Sequence, residues 1–511
     1  MVYFVPAWYR ENEWSEREQS WQERRMHTEF DDTVKHMQLF HRSQFSPYRI
    51  LLLGHAPNFR HFLHRQSVYH APYWSCFDAI QEIQRRKVRV FSFHSLTWPE
   101  DIEYLYTPFV VVAMRRGKKY AQLEFGEDGN LIRIDMYQDE QICRRNIYDD
   151  RGFVSATVIY EDGKPVYRDY LMENGVWKLR YFESDGHVEI NPKYPDYLLS
   201  YGDEEQKKRF SRLDYDCLEE VIEEVFLSYV RLTEEKDIFC VAMHGLHVHF
   251  IEKIMMQRKT ILSFYMDRYR ITEHPEVMGM IREANYIITD SQENTKAIVE
   301  MDRTLAHKIM DITPYDSRVD PGISRQLSVQ KILVAVDGIE DDGFVELVVQ
   351  LGKYLLKNNR AEVHLLTRKA EYDRPEQILS RTASALKAER LPGKLASRFF
   401  AEQCVDELTV SKCMREQILL VDLRKLPELY LQITAISMGI PQIVCRETQF
   451  IEDGMNGRIL KNTAQLPQFL DYYLDGLANW NQAVVASYEI GKRFTTSVLL
   501  DKWREVIEFV G

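Results

Sequence analysis

Short continuous apolar runs separated by charged, helix-length stretches dominate the first hundred residues. Tyr3–Pro6, Tyr48–Leu53 and Val88–Phe91 are such runs. Apolar runs without alternation predict strands of a parallel sheet covered on both faces. Between the first two, Trp21, Met26, Phe30, Val34 and Met37 fall at roughly helical spacing, which predicts a helix within Ser15–Phe40. From about Glu103 the period changes to two, and turn signals recur at Gly117, Asp128-Gly129, Asp162-Gly163, Asn174-Gly175 and Asp185-Gly186. Alternating aromatic and β-branched residues between such corners predict an antiparallel meander, with no helix between Ile132 and Ile190. The helical period returns at Leu213–Tyr229, where Leu213, Cys217, Val221, Val225 and Tyr229 form a stripe opposite Glu219, Glu220, Glu223 and Glu224. Strands follow at Ile238–Ala242, Thr260–Phe264 and Tyr286–Thr289, and Asp320-Pro-Gly-Ile-Ser324 reads as an inter-domain hinge.

The second half is more regular. Ile332–Val336, Val363–Leu366, Arg398–Ala401, Ile418–Val421 and Gln442–Cys445 alternate with helical stretches, a βα rhythm that predicts a second parallel sheet. The last helix, Val498–Val510, carries Leu499, Trp503, Val506, Ile507 and Val510 on one face. The expected architecture is therefore α/β, with two Rossmann-like domains facing a cleft and an antiparallel β-sheet domain inserted in the first. The divisions are 1–102 with 195–322, the insert at 103–194, the second Rossmann-like domain at 323–495, and a C-terminal helix at 496–511 that packs back on the first domain.

Composition narrows the function classes. With 511 residues and 45% hydrophobic content, the chain can bury large cores. A net charge of −12 argues against nucleic acid as the main partner, since phosphate binding needs a dominant basic surface. Apolar runs such as Pro108–Met114 are too short to span a bilayer, and Trp8, Arg10, Glu11 and Glu13 stand where a signal peptide would need apolar residues. Seven scattered cysteines without a C-x-x-C pair fit a reducing, cytoplasmic setting. No P-loop, G-x-G-x-x-G or G-x-S-x-G motif is present, which weighs against a phosphate-cradling loop and a serine hydrolase.

The stretch Glu416–Leu460 organises the second half. Its helix Glu428–Met438 is closed by Gly439-Ile440-Pro441, where Gly tolerates the left-handed backbone and Pro fixes entry into the next strand. The segment from Thr434 to Pro441, followed by Glu452-Asp-Gly-Met-Asn-Gly457, resembles the donor-site segment of retaining GT-B glycosyltransferases. By that resemblance, the ribose-binding Glu position is Thr434 and its companion Glu position is Leu426. The family's Gly-Arg … Lys-Gly diphosphate clamp falls on Asp337-Gly-Ile-Glu-Asp-Asp342-Gly343; aligned by Gly343, Asp337 replaces the Arg and Asp342 the Lys. Two anions in place of two cations would repel a nucleotide diphosphate. The expectation is a vestigial donor cleft, with no catalytic, cofactor or metal residues.

Other clusters carry weaker chemistry. His247 and His249 would share a face on a strand, but a metal site lacks an evident third ligand. Asp149-Asp150-Arg151-Gly152 reads as a salt-bridged corner rather than an acid–base pair. Arg115, Arg116, Lys118 and Lys119 form a basic hairpin tip, a solvated turn in the plain reading and a contact for anionic lipid or a partner in the sharper one. Tyr148, Tyr160 and Trp177 are candidate partner contacts on the insert, because Tyr and Trp anchor interfaces.

Four stretches together point further: Tyr3-Phe-Val-Pro-Ala-Trp-Tyr, Ile147-Tyr-Asp-Asp-Arg-Gly-Phe-Val-Ser, Tyr286-Ile-Ile-Thr-Asp-Ser and Ile312-Thr-Pro-Tyr-Asp. In this order they resemble the family of accessory secretory protein one of the accessory Sec system of Gram-positive bacteria. The resemblance spans essentially the full length. It implies a glycosyltransferase-like subunit without catalysis, acting in export of glycosylated serine-rich repeat adhesins. The implied partners are accessory secretory proteins two and three, the accessory SecA motor ATPase, the accessory SecY channel and the adhesin. The implied location is cytoplasmic, with peripheral attachment to an anionic membrane as its extension. Two competing readings are an active GT-B enzyme that modifies the adhesin, and a glycan-binding module that recognises it.

Overall fold

The computed structural model describes residues 1–10, 13–16 and 31–511. Three sheets organise them. The first is seven-stranded and wholly parallel, ordered Ile309–Asp311, Tyr286–Thr289, Lys259–Phe264, Ile238–Ala242, Val2–Val5, Tyr48–Leu52, Tyr73–Ser75. Its central strands Val2–Val5 and Ile238–Ala242 are buried throughout, as their unbroken apolar runs require. The second is six-stranded and parallel, ordered Phe399–Gln403, Ala361–Thr367, Gln330–Ala335, Leu419–Asp422, Gln442–Val444, Gly457–Ile459.

The third sheet is a ten-stranded antiparallel meander that starts at Ile102–Tyr106 and runs in sequence order through Val188–Ile190. Its last strand, Asp214–Tyr215, arrives only after a separate hairpin of Asp196–Tyr201 with Glu204–Arg209. Antiparallel pairing thus continues past residue 194. The corners at Gly163 and Gly175 hold φ of +75° and +80°, which explains their Asp-Gly and Asn-Gly sequences. The inner face of the meander buries Ala156, Tyr170, Leu179, Val188 and Ile190 in one core with Phe77, Val221 and Ile222 of the first domain. Gln81 locks the join by donating to the carbonyls of Ser155 at 2.8 Å and Leu171 at 2.6 Å.

Several sequence expectations are corrected. Val88–Phe91 is not a strand; Val90 is 92% exposed, and the next strand of the first sheet is Tyr73–Ser75. The chain after it instead lays Phe91, Phe93 and Trp98 over the far end of the meander. Of the helix expected within Ser15–Phe40, the described residues hold Asp32–Ser43, capped by the Asp31 carboxylate accepting from the Thr33 amide, and Glu13–Glu16 is a strand. Trp21, Met26 and Phe30 lie outside the described residues. The helix expected from Leu213 runs Leu218–Val230, and Leu213 is exposed. The C-terminal helix Thr496–Val510 buries Leu499, Trp503, Val506 and Val510 in the first domain's core beside Phe4, Phe40 and Ile50. Among the described residues, no helix is long and apolar enough to cross a membrane.

Candidate functional site

In a doubly wound sheet, ligands bind beyond the carboxyl ends of the strands. Here the carboxyl edges of both parallel sheets converge on one cavity of about 590 Å³. Phe264, Met266, Asp290 and Ser291 line it from the first domain, and Leu426, Pro427, Leu429 and Thr448 from the second. The wall residue Asp290 is 3% exposed, and burial raises its carboxyl to about 6. It accepts from the Met266 amide at 2.9 Å and the Asn294 side chain at 2.6 Å. Contacts within the first domain and from it to the second hold this edge together. The Tyr265 and Tyr315 hydroxyls lie 2.9 Å apart, and the Gln449 amide spans to the Asp290 carbonyl at 3.4 Å and the Gln292 amide at 3.3 Å.

The second domain's edge is where a donor diphosphate would be held, and three of its arginines are paired with its carboxylates, while Arg446 on the cavity wall donates to the Lys425 carbonyl at 2.9 Å. Asp337, just after the strand Gln330–Ala335, accepts from the Thr367 hydroxyl at 2.9 Å, the Arg368 amide at 2.6 Å and the Arg374 guanidinium at 3.3 Å. Asp422 ends its strand fully buried and takes both arms of Arg424, at 2.7 and 2.6 Å. Burial alone would lower the Arg424 guanidinium, but Asp422 beside it holds it above the usual range. Glu428 lies 3.1 Å from Arg368 and 3.8 Å from Arg424, and burial raises its carboxyl despite both cations. Arg368, Arg374 and Arg424 thus face Asp337, Asp422 and Glu428, three cations beside three anions.

The helix that follows offers no compensation. A helix N-terminus is a ready anion site, because its first amides lack partners and its dipole is positive there. The helix Asp341–Lys357 begins with Glu340, Asp341 and Asp342, whose carboxylates occupy that positive end. Lys425 pairs with Glu340 at 2.9 Å and Arg381 with Asp341 at 2.6 Å. Asp342 and Gly343 are exposed in its first turn.

The remaining sequence-selected residues separate. Leu426 is 61% exposed at the mouth of the 590 Å³ cavity. Thr434 is buried in the helix Leu429–Met438, bonded to the Tyr430 carbonyl at 2.6 Å, and lines a different inter-domain cavity of about 390 Å³ beside Lys35 and Arg42. Gly439 ends that helix at φ +68°, and the Pro441 carbonyl accepts from the Leu420 amide at 3.0 Å. The sequence pattern passed over Arg368, Asp422, Arg424 and Glu428. The available signal was their position, charged residues directly after apolar strand runs or at a helix start.

On the meander, Arg115 and Arg116 both pair with Asp101, at 2.7 and 3.0 Å. Lys118 lies 3.7 Å from Asp139, and Lys119 sits 3.9 Å from the Tyr137 ring centre. Tyr160 and Trp177 are half-buried, but Tyr148 is 5% exposed in the core with Phe91, so it is not a surface contact of this chain. Asp149, Asp150 and Arg151 form a buried corner: Arg151 grips Asp149 at 2.7 Å and Asp78 at 2.7 Å, and Arg60 pairs with Asp150. His247 and His249 do not share a strand. His247 belongs to a 3-10 turn Gly245–His247, fully buried between the Tyr9 hydroxyl at 2.8 Å and the Ala242 carbonyl at 2.7 Å. His249 is on the following helix, near Glu223.

Two parallel Rossmann-type sheets around a cleft, with an antiparallel sheet set into the first, define a protein of the GT-B-like fold class. The fold is similar to that of the pneumococcal O-GlcNAc transferase GtfA, solved with UDP and GlcNAc (TM-score 0.73, 13% identity, 100% of this chain and 98% of that one). Within that class the chain belongs to the accessory Sec system family of accessory secretory protein 1, whose family model matches residues 1–509. It is 31% identical to the family member of Streptococcus gordonii over 99% of this chain and 98% of that protein. It also resembles a chain in the crystal structure of accessory secretory proteins 1, 2 and 3 from Streptococcus pneumoniae (TM-score 0.84, 28% identity, 100% of this chain and 99% of that one).

Proposed function

We propose that this chain is a glycosyltransferase-like subunit of an accessory Sec system that binds partners and transfers no sugar. The observation that carries the reading is the pairing of Asp337, Asp422 and Glu428 with Arg374, Arg424 and Arg368. A diphosphate entering that edge would have to strip the arginines from carboxylates already bonded to them, two of which are buried or nearly so. Breaking such pairs costs several kcal/mol, roughly what the phosphate contacts would return. The solved pneumococcal complex of proteins 1, 2 and 3 supports accessory secretory proteins 2 and 3 as partners. The accessory SecA motor and the glycosylated adhesin follow as expectations from family membership, as does a cytoplasmic place of action. Asp337, Asp342, Leu426 and Thr434 are, in this reading, remnants of a donor cleft.

A second reading rests on the cavity itself: its wall of Phe264, Ile271, Leu426 and Leu429 with Asn294 and Thr448 would suit recognition of a sugar ring without turnover. Titration calorimetry with UDP-glucose, UDP-N-acetylglucosamine and a glycosylated Ser-rich peptide separates the readings. No heat with either nucleotide and co-elution with proteins 2 and 3 are expected. Micromolar nucleotide binding, or sugar transfer lost on changing a cleft residue, would overturn the non-catalytic reading. Binding of the glycopeptide alone would select the second.

A further inference from the structure

The outer face of the antiparallel sheet holds three ligand-type side chains on two paired strands. His187 and Glu189 lie two residues apart, on the face opposite the buried Val188 and Ile190. Asp214 stands directly across from Glu189 in the antiparallel register. One ligand atom from each of the three lies within 4.8 Å of the other two, and His187 Nε2 is 2.7 Å from the Asp214 carboxylate.

Two carboxylates directly opposed across a ladder repel, so this pairing needs a cation to be favourable. The neighbouring Arg180 guanidinium lies close enough to act on Glu189 through space but does not bond to it. Arg180 faces Glu189 from the other side, but both its arms are given to Asp169, at 2.7 and 3.0 Å. Among the described residues, Glu189 is in no ion pair, although it is half-buried.

We propose that His187, Glu189 and Asp214 form a divalent transition-metal site, suited best to zinc. One imidazole and two carboxylates match that ion's borderline preference, whereas magnesium and calcium favour oxygen ligands alone. Bonds of about 2.0–2.2 Å in a tetrahedron put ligand atoms about 3.3–3.6 Å apart, so the three side chains close on the ion by rotamer adjustment without backbone movement. The fourth position faces solvent and is left to water. The consequence is mechanical. Asp214–Tyr215 is a two-residue edge strand that leads, through Cys217, into the helix Leu218–Val230 on which the sheet rests. A metal bridging Asp214 to His187 and Glu189 staples that connection to the sheet.

The test uses tag-free, chelator-treated full-length protein. Equilibrium dialysis with zinc is run on the wild type and on H187A, E189A and D214N, with differential scanning fluorimetry in zinc, cobalt, magnesium and calcium. One zinc per chain is expected, together with a rise in melting temperature given by zinc or cobalt and not by magnesium or calcium. Each variant should weaken binding by more than the roughly 10- to 100-fold that loss of a merely supporting residue costs. Cobalt offers a second readout, since its visible absorption should change in H187A even if stability does not. Absence of stoichiometric zinc at micromolar concentration overturns the proposal, as does zinc binding that survives H187A and D214N unchanged. Neither result touches the nucleotide titrations above.

Discussion

Removing the Trp503 indole tests how firmly the C-terminal helix ties the two halves together. Trp503 is fully buried and belongs to a helix that follows the second sheet in sequence but packs in the first domain's core. Its ring meets Phe4, Phe40 and His36 edge-on at 6.0, 5.2 and 5.0 Å, and its Nε1 faces His36 Nδ1 at 3.3 Å. Trp→Ala in a packed core costs about 3–5 kcal/mol, because transfer energy and an unfilled cavity add. The helix end is a local unit, so the loss should appear first as opening of that helix rather than as global unfolding. At about 1.4 kcal/mol per factor of ten, amide exchange in Thr496–Val510 of W503A should speed up by roughly a hundredfold to several thousandfold. Hydrogen exchange with mass spectrometry reads this directly. The control is F509A on the same helix, 54% exposed and expected to change exchange by less than tenfold. A W503A effect below tenfold, or one spread evenly over both parallel sheets, would refute the picture of a docked strap.

Three further outcomes follow from the geometry. Burial lowers His36, His55 and His247 from 6.5 to about 4, 3 and 3, so the unfolded chain takes up the extra protons; stability is complete above pH 6.5 and falls on acidification. Asp290, raised by burial to about 6, acts in the opposite sense and cancels one of the three, leaving a slope of at most about 3 kcal/mol per pH unit between pH 6 and 4; a flat urea midpoint across that range contradicts it. R151A leaves the buried Asp149 carboxylate with only the longer Arg60 ion pair at 3.5 Å and should cost about 3–5 kcal/mol in urea denaturation, whereas a loss under about 1 kcal/mol would show the corner to be dispensable. G439A forces a side chain into φ +68° with its Cβ 2.9 Å from both Tyr488 Oη and Val484 Cγ1, and should lower stability by about 1–3 kcal/mol in the same assay; an unchanged midpoint would argue against strain there.

The sequence by itself determined the strands that are buried on both faces and the corners that need a particular residue. Ile238–Ala242 and Gln442–Val444 are runs whose burial leaves no other reading, and Asn174-Gly175 and Gly439 mark backbone that most residues avoid. It also carried the family resemblance, since the order of short motifs survives along the chain. Tertiary structure decided the rest, because the deciding contacts are long-range. Val88–Phe91 is as apolar as a strand, yet Phe91 found its burial against Tyr148 of the meander instead of in a sheet. Asp337 and Asp342 look alike in sequence. One is bonded to Thr367 and Arg374, thirty or more residues away, and the other is exposed at a helix start. Spacing gave only the expectation of a donor edge with Asp337 and Asp342 in place of cations; it did not show which charges pair there. Arg368 and Arg374 lie on the connection after the strand Ala361–Thr367, Arg424 and Glu428 on the one after Leu419–Asp422, and Asp337 after Gln330–Ala335; they meet only when the parallel strands align their carboxyl ends. Pattern along a chain fixes which residues are buried; which charges neutralise one another is a property of the assembled sheet edge.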